Sequence, residues 1–201
     1  MTRIVLLAFA LLVAAIPVHA APITFTAVLS GPNEAPPTDS PGTGFAIVTI
    51  DDVTDLMRVQ VTFADLLSPV TVSHIHVING PGDVNTSDTN GPVATTTPSF
   101  AGFPAGVTAG VFDATFNMLL TSSYRAGFIA DAGGTPELAE AALFAGIIEG
   151  RAYLNIHTVQ FGGGEIRGFL QPAAVPEPAS LILLGSGLVA AAARRRRQRR
   201  R

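Results

Sequence analysis

Between residues 57 and 63 apolar and polar side chains alternate without a break. Met57, Val59, Val61 and Phe63 are interleaved with Arg58, Gln60 and Thr62. Successive side chains on a strand point to opposite faces, so this pattern makes one face of a half-buried strand and leaves the other to water. The same period recurs at Ile23, Phe25, Ala27 and Leu29, and again at Phe112, Ala114 and Phe116. Gly44–Ile50 and Val70–Ile78 are mostly apolar and suit buried strands, and Tyr153–Val159 and Glu165–Leu170 supply two more. The segments between them are rich in turn residues, notably 30–37, 79–109 and the run Phe161-Gly162-Gly163-Gly164. One helix is expected over Pro136–Ile148. Thr135 can cap it, Pro136 suits its first turn, Glu137 and Glu140 favour its N-terminal dipole, and Gly150 fits just past its end. Seven short strands with one short helical insertion predict an all-β fold, a Greek-key β-sandwich or partly open barrel.

Such a sheet must close without covalent help. The chain has no cysteine, so it has no disulfide, no zinc–cysteine cluster and no thiol nucleophile. With 48% hydrophobic and 13% charged residues, apolar burial is available in its place. The charge is segregated. All twelve cations are Arg, and seven of them lie within the last eight residues. Residues 21–174 carry four Arg against fourteen acids, a net charge of −10. A body this acidic repels phosphate backbones, which excludes nucleic acid as its partner.

The two ends read as addresses. After Arg3, residues 4–16 form a thirteen-residue apolar run. Pro17 breaks it, and small residues at Val18 and Ala20 follow. That order is a secretory signal peptide over 1–20, too short to span a bilayer. At the other end, residues 172–178 form a linker that ends in Pro176-Glu177-Pro178, extended by its prolines. Residues 179–193 are an apolar stretch that as a helix covers about 22 Å, short of a ~30 Å hydrocarbon core unless the bilayer thins. Residues 194–201 are the Arg-rich tail, expected on the cytoplasmic side. This tripartite end resembles a PEP-CTERM sorting signal. The resemblance implies export in a Gram-negative-type bacterium, recognition by an exosortase-type sorting enzyme, a transient or stable C-terminal membrane anchor, and a place at the cell surface or in extracellular polymer.

In the body, residues 21–171, the polar groups that can carry chemistry are few. His74 and His76 are two apart in a strand and share a face, and His157 lies in a later strand with Tyr153 and Asn155 on its face. If the two strands are neighbours, three imidazoles meet, a donor set suited to Zn²⁺ or Cu²⁺. Asp83, Asp88 or Glu165 can add a carboxylate. The competing expectation is structural: His74 and His76 brace the 79–92 loop, and His157 braces the Gly-rich hairpin. Glu165 and Arg167 share a strand face and form a structural pair with each other or across the sheet, with Glu34 a further partner for Arg167. The Asn85-Thr86-Ser87 sequon carries little weight in a bacterial protein, and the Asp51, Asp52 and Asp55 loop matches no EF-hand. There is no Gly-x-Ser-x-Gly elbow and no Lys for a phosphate loop, so no catalytic residue is expected.

Five ordered motifs carry a second resemblance. They are Phe25 to Pro37, His74-Ile75-His76, Gly91-Pro92-Val93, Tyr153 to Thr158, and Gly162 to Gly168. Together they resemble a CHRD domain over Ile23 to Leu170. The resemblance implies an extracellular β-sandwich module, immunoglobulin-like or superoxide-dismutase-like, without established enzymatic activity. Chordin's own growth-factor ligand does not transfer to a bacterial chain. The expected function is therefore a non-enzymatic binding or structural module at the envelope, in contact with extracellular polysaccharide or surface proteins. The alternative is an extracytoplasmic Cu- or Zn-binding protein, conceivably redox-active. The His-x-His strand loosely resembles one of copper/zinc superoxide dismutase, but with three histidines in the body a full dinuclear site is excluded.

Overall fold

The strongest period-two segment becomes the central meander. β1 (Ile23–Ser30), β2 (Thr43–Asp51) and β3 (Leu56–Ala64) pair antiparallel in that order, with eight β1–β2 and nine β2–β3 residue pairs in register. In this computed structural model, which describes residues 21–83, 89–174 and 198, the inward set of β3 is the predicted one. Met57, Val59, Val61 and Phe63 are all buried. β5 (Gly110–Asn117) completes this half at the outer edge of β3.

The other half is built from β4 (Val70–Val77), β6 (Ala152–Thr158) and β7 (Ile166–Phe169), also antiparallel. The sheet order is β4-β6-β7-β1-β2-β3-β5, and a short β8 (Gln171–Pro172) pairs with the start of β1. β7 meets β1 through a single registered pair, Ser30 with Arg167. Gly168 stands at this seam. A Cβ there would lie 2.4 Å from the Val28 carbonyl oxygen, so only glycine lets the two backbones pass so closely. The sheet curls, and both halves feed one apolar core. Leu29, Val48, Val59 and Phe112 come from one side and Ile75, Leu154, Ile156 and Ile166 from the other. The fold is all-β, as the sequence predicts.

The expected helix forms as α2 (Pro136–Ile148), between α1 (Ala126–Asp131) and β6. Thr135 Oγ1 accepts from the Leu138 N–H at 3.4 Å, and Gly150 takes φ +71° just beyond the helix. Leu143, Phe144 and Ile147 of α2 join the core. The six-residue α1 was not expected, and it corrects the single insertion to two helices. Its sequence offers no start signal, and Arg125 at the cap position makes no capping hydrogen bond from its side chain. Tertiary contacts hold it: Arg125 donates to the Ala94 carbonyl from its backbone and to the Val93 carbonyl from Nε.

Among the described residues no helix is long and apolar enough to cross a membrane. Residues 1–20, Pro176-Glu177-Pro178 and the 179–193 stretch lie outside the described residues, as does the 194–201 tail apart from Gln198.

Candidate functional site

β4 and β6 are neighbours, and their register brings the histidines together. His74 stands opposite Asn155, His76 opposite Tyr153, and Val72 opposite His157. Ile75, Val77, Leu154 and Ile156 on one face enter the core, so the three rings, Tyr153 and Asn155 share the other. That face is covered by loops, and the three imidazoles are 6–8% exposed. Ring centroids lie 5.1 Å apart for His74 and His157, 5.6 Å for His74 and His76, and 5.8 Å for His76 and His157. One ring nitrogen from each falls within 4.8 Å of the other two.

Each ring is held by a backbone carbonyl. His74 Nε2–H donates to the Pro98 oxygen at 2.5 Å, His76 Nδ1–H to Gly91 at 2.9 Å, and His157 Nδ1–H to Gly162 at 3.0 Å. A carbonyl only accepts, so these bonds fix the tautomers. The remaining nitrogens, His74 Nδ1, His76 Nε2 and His157 Nε2, are buried lone pairs without a partner. Burial favours the neutral form of all three rings. It pulls His74 down to about 4 and His76 to about 3, and lowers His157. The expected bracing of the 79–92 loop by His76, and of the hairpin by His157, is thus made with one nitrogen of each ring. The other nitrogen stays free. His74 instead braces the Pro98 segment.

A stacked column stands behind the site. Tyr153 lies flat on His76, with 4.9 Å between centroids and 8° between planes, and the Arg167 guanidinium carbon sits 4.7 Å over the Tyr153 ring. Arg167 Nε donates to the Asn33 carbonyl at 2.6 Å, and Nη1 donates to Thr89 O and Asn90 Oδ1 at 2.7 and 2.8 Å. These bonds clamp the residues preceding Gly91, whose carbonyl anchors His76. Glu34 Oε2 lies 3.8 Å from Arg167 Nε, with both side chains buried. Burial nevertheless pushes the Glu34 carboxyl up to about 7, against the pull of Arg167.

Glu165 points elsewhere. Its carboxylate accepts from Ser40 Oγ, the Leu67 N–H and Thr158 Oγ1, each at 2.6 Å, and it is fully buried. The two expected partners therefore serve separate networks, with Arg167 on the loops at Asn33 and Thr89 and Glu165 on those at Ser40 and Leu67. Of the other carboxylates, Asp83 accepts from the Asn79 N–H, and Asp88 lies outside the described residues. Tyr153 and Asn155 were legible only as members of the His157 face, and nothing in their sequence announced the stack.

A family model for the CHRD domain matches residues 25–170. The chain belongs to the CHRD domain family. All three histidines, the carbonyl anchors and the Arg167 column of this CHRD protein fall within that span. A PEP-CTERM protein-sorting motif matches residues 174–197. That motif marks the chain as exported, sorted to the cell envelope and recognised by exosortase-type machinery. No curated protein matches the chain.

Proposed function

We propose that the CHRD domain of this exported protein is a metal-holding module that takes one transition-metal ion, copper or zinc, on His74, His76 and His157. The observation behind this reading is the set of three unpartnered, buried imidazole nitrogens converging from two paired strands. A lone unpaired polar atom of this kind costs about 1–3 kcal/mol, and three on one face are tolerated most simply where a cation completes them. The carbonyl bonds on the opposite nitrogens match the outer support that metal-bound histidines require. No reaction is assigned, and the module stores or carries the ion, or is stiffened by it. Elemental analysis of the protein purified from its native host tests this. About one copper or zinc per chain is expected, with loss of the metal in His157→Ala. A metal-free native protein would refute it.

A second reading has its own observation. Val28, Phe45, Thr62 and Val111 form one cross-strand row on the outer face of β1, β2, β3 and β5, and Val28, Phe45 and Val111 are exposed. Such a row suits a non-enzymatic contact with extracellular polysaccharide or another surface protein. A row variant, Val28→Thr with Val111→Thr, that leaves attachment to isolated polymer unchanged would remove it.

A further inference from the structure

We infer that the three-histidine site is built for monovalent copper in a three-coordinate geometry, not for zinc; this rests on the metal-holding reading above. The first ground is the donor set. The cluster among the described residues consists of three imidazoles alone, with no carboxylate, and Glu165, an acid expected as a fourth donor, is engaged with Ser40, Leu67 and Thr158. Zinc at protein sites is almost always four-coordinate, with a fourth protein ligand in structural sites or a water in catalytic ones. The second ground is closure. His74 Nδ1, His76 Nε2 and His157 Nε2 have essentially no surface open to solvent among the described residues, and one ring nitrogen of each histidine lies within 4.8 Å of the other two, a closeness that disfavours water as a fourth ligand. A closed-shell monovalent copper ion is satisfied by three nitrogens in a plane, whereas divalent copper demands a tetragonal set of four or more.

The third ground is charge. No carboxylate joins the three imidazoles, and the fixed guanidinium of Arg167 stands one ring behind His76, stacked on Tyr153. The acid that faces Arg167, Glu34, is 3.8 Å away and pushed up to about 7 by burial, so it offsets the guanidinium charge only in part. The energy of burying an ion rises with the square of its charge, so this pocket penalises a dication far more than a monocation. Asn155 is a group that can spoil the count. It lies on the same face opposite His74, and its Oδ1 is buried without a partner.

The experiment uses the protein purified from its host and stripped of metal, titrated anaerobically with Cu(I) against a chromophoric Cu(I) chelator and separately with Zn²⁺. One Cu(I) per chain is expected, bound more tightly than Zn²⁺, with an X-ray absorption edge of three-coordinate Cu(I). His76→Gln should abolish uptake while the sheet signal in circular dichroism is retained. If that variant unfolds, the absorption edge of the unaltered protein still decides the coordination number. Zinc bound as tightly as Cu(I), or a four-coordinate ion whose fourth donor disappears in Asn155→Leu, would overturn the copper assignment and leave the metal-holding reading standing. Uptake of neither ion would overturn both.

Discussion

Replacing Glu140 by Gln should stabilise the domain at alkaline pH and do nothing for it in acid. Glu140 sits on α2 with its carboxyl buried, and Oε1 has no hydrogen-bond partner. Burial and the neighbouring acids Asp55, Asp52 and Glu137 push it up to about 7 from 4.5. The folded state thus binds a proton that the unfolded chain releases. Stability falls as pH rises from about 4.5 to about 7, and the full penalty is present above that. At 1.36 kcal/mol per unit the upper bound is about 3 kcal/mol. The carboxyl lines a cavity of about 350 Å³ with Ile23, Ile50 and Phe144, and water admitted there screens it, so a realised gain of about 1–2 kcal/mol is expected. For a domain of this size that is a rise in melting temperature of roughly 2–8 °C at pH 8. Thermal unfolding at pH 8 and pH 4 measures it. A gain of equal size at both pH values would show that shape, not charge, is responsible. No gain at pH 8 would show that the carboxyl is solvated in the folded state.

Other outcomes follow from the same contacts. Ser40→Ala removes one of three donors to the buried Glu165 carboxyl and should cost about 1–3 kcal/mol in urea unfolding. Gly164→Ala places a Cβ 2.5–2.6 Å from the Asn155 and Glu34 side chains at φ +129°, so a loss of about 1–3 kcal/mol and a weakened metal site are expected by the same assays. Arg167→Met keeps the stacked bulk over Tyr153 but releases Asn33, Thr89 and Asn90, and should lower the melting temperature and speed proteolysis near residue 89. Unchanged stability in that variant would remove the clamp. Gly168→Ala should be the most damaging of the set, because its Cβ meets backbone at the seam and no side chain can turn aside.

The sheet was legible because period-two alternation is a local property. β3 announced its buried set residue by residue, and α2 announced its cap and its end. α1 was not legible, since its six residues depend on Val93 and Ala94 carbonyls some thirty positions away. The site was half legible. His74, His76 and His157 could be put on strand faces, but their meeting depends on which strand lies beside which, and that pairing joins segments about eighty residues apart. The partners of Glu165 were not legible for the same reason. The shared face suggested Arg167, whereas one of the two hydroxyls that bind it comes from Ser40, 125 positions earlier.

The carbonyls of Gly91, Pro98 and Gly162 that steer the three rings belong to two separate connections, the long one between β4 and β5 and the hairpin between β6 and β7. A single ion at their centre would therefore lace two strands and two loops into one knot, a task that exported domains usually leave to disulfides. In a cysteine-free protein that lacing would be indifferent to reductants and undone by chelators. The durability of this end of the molecule outside the cell would then follow the supply of metal and not the redox poise of its surroundings.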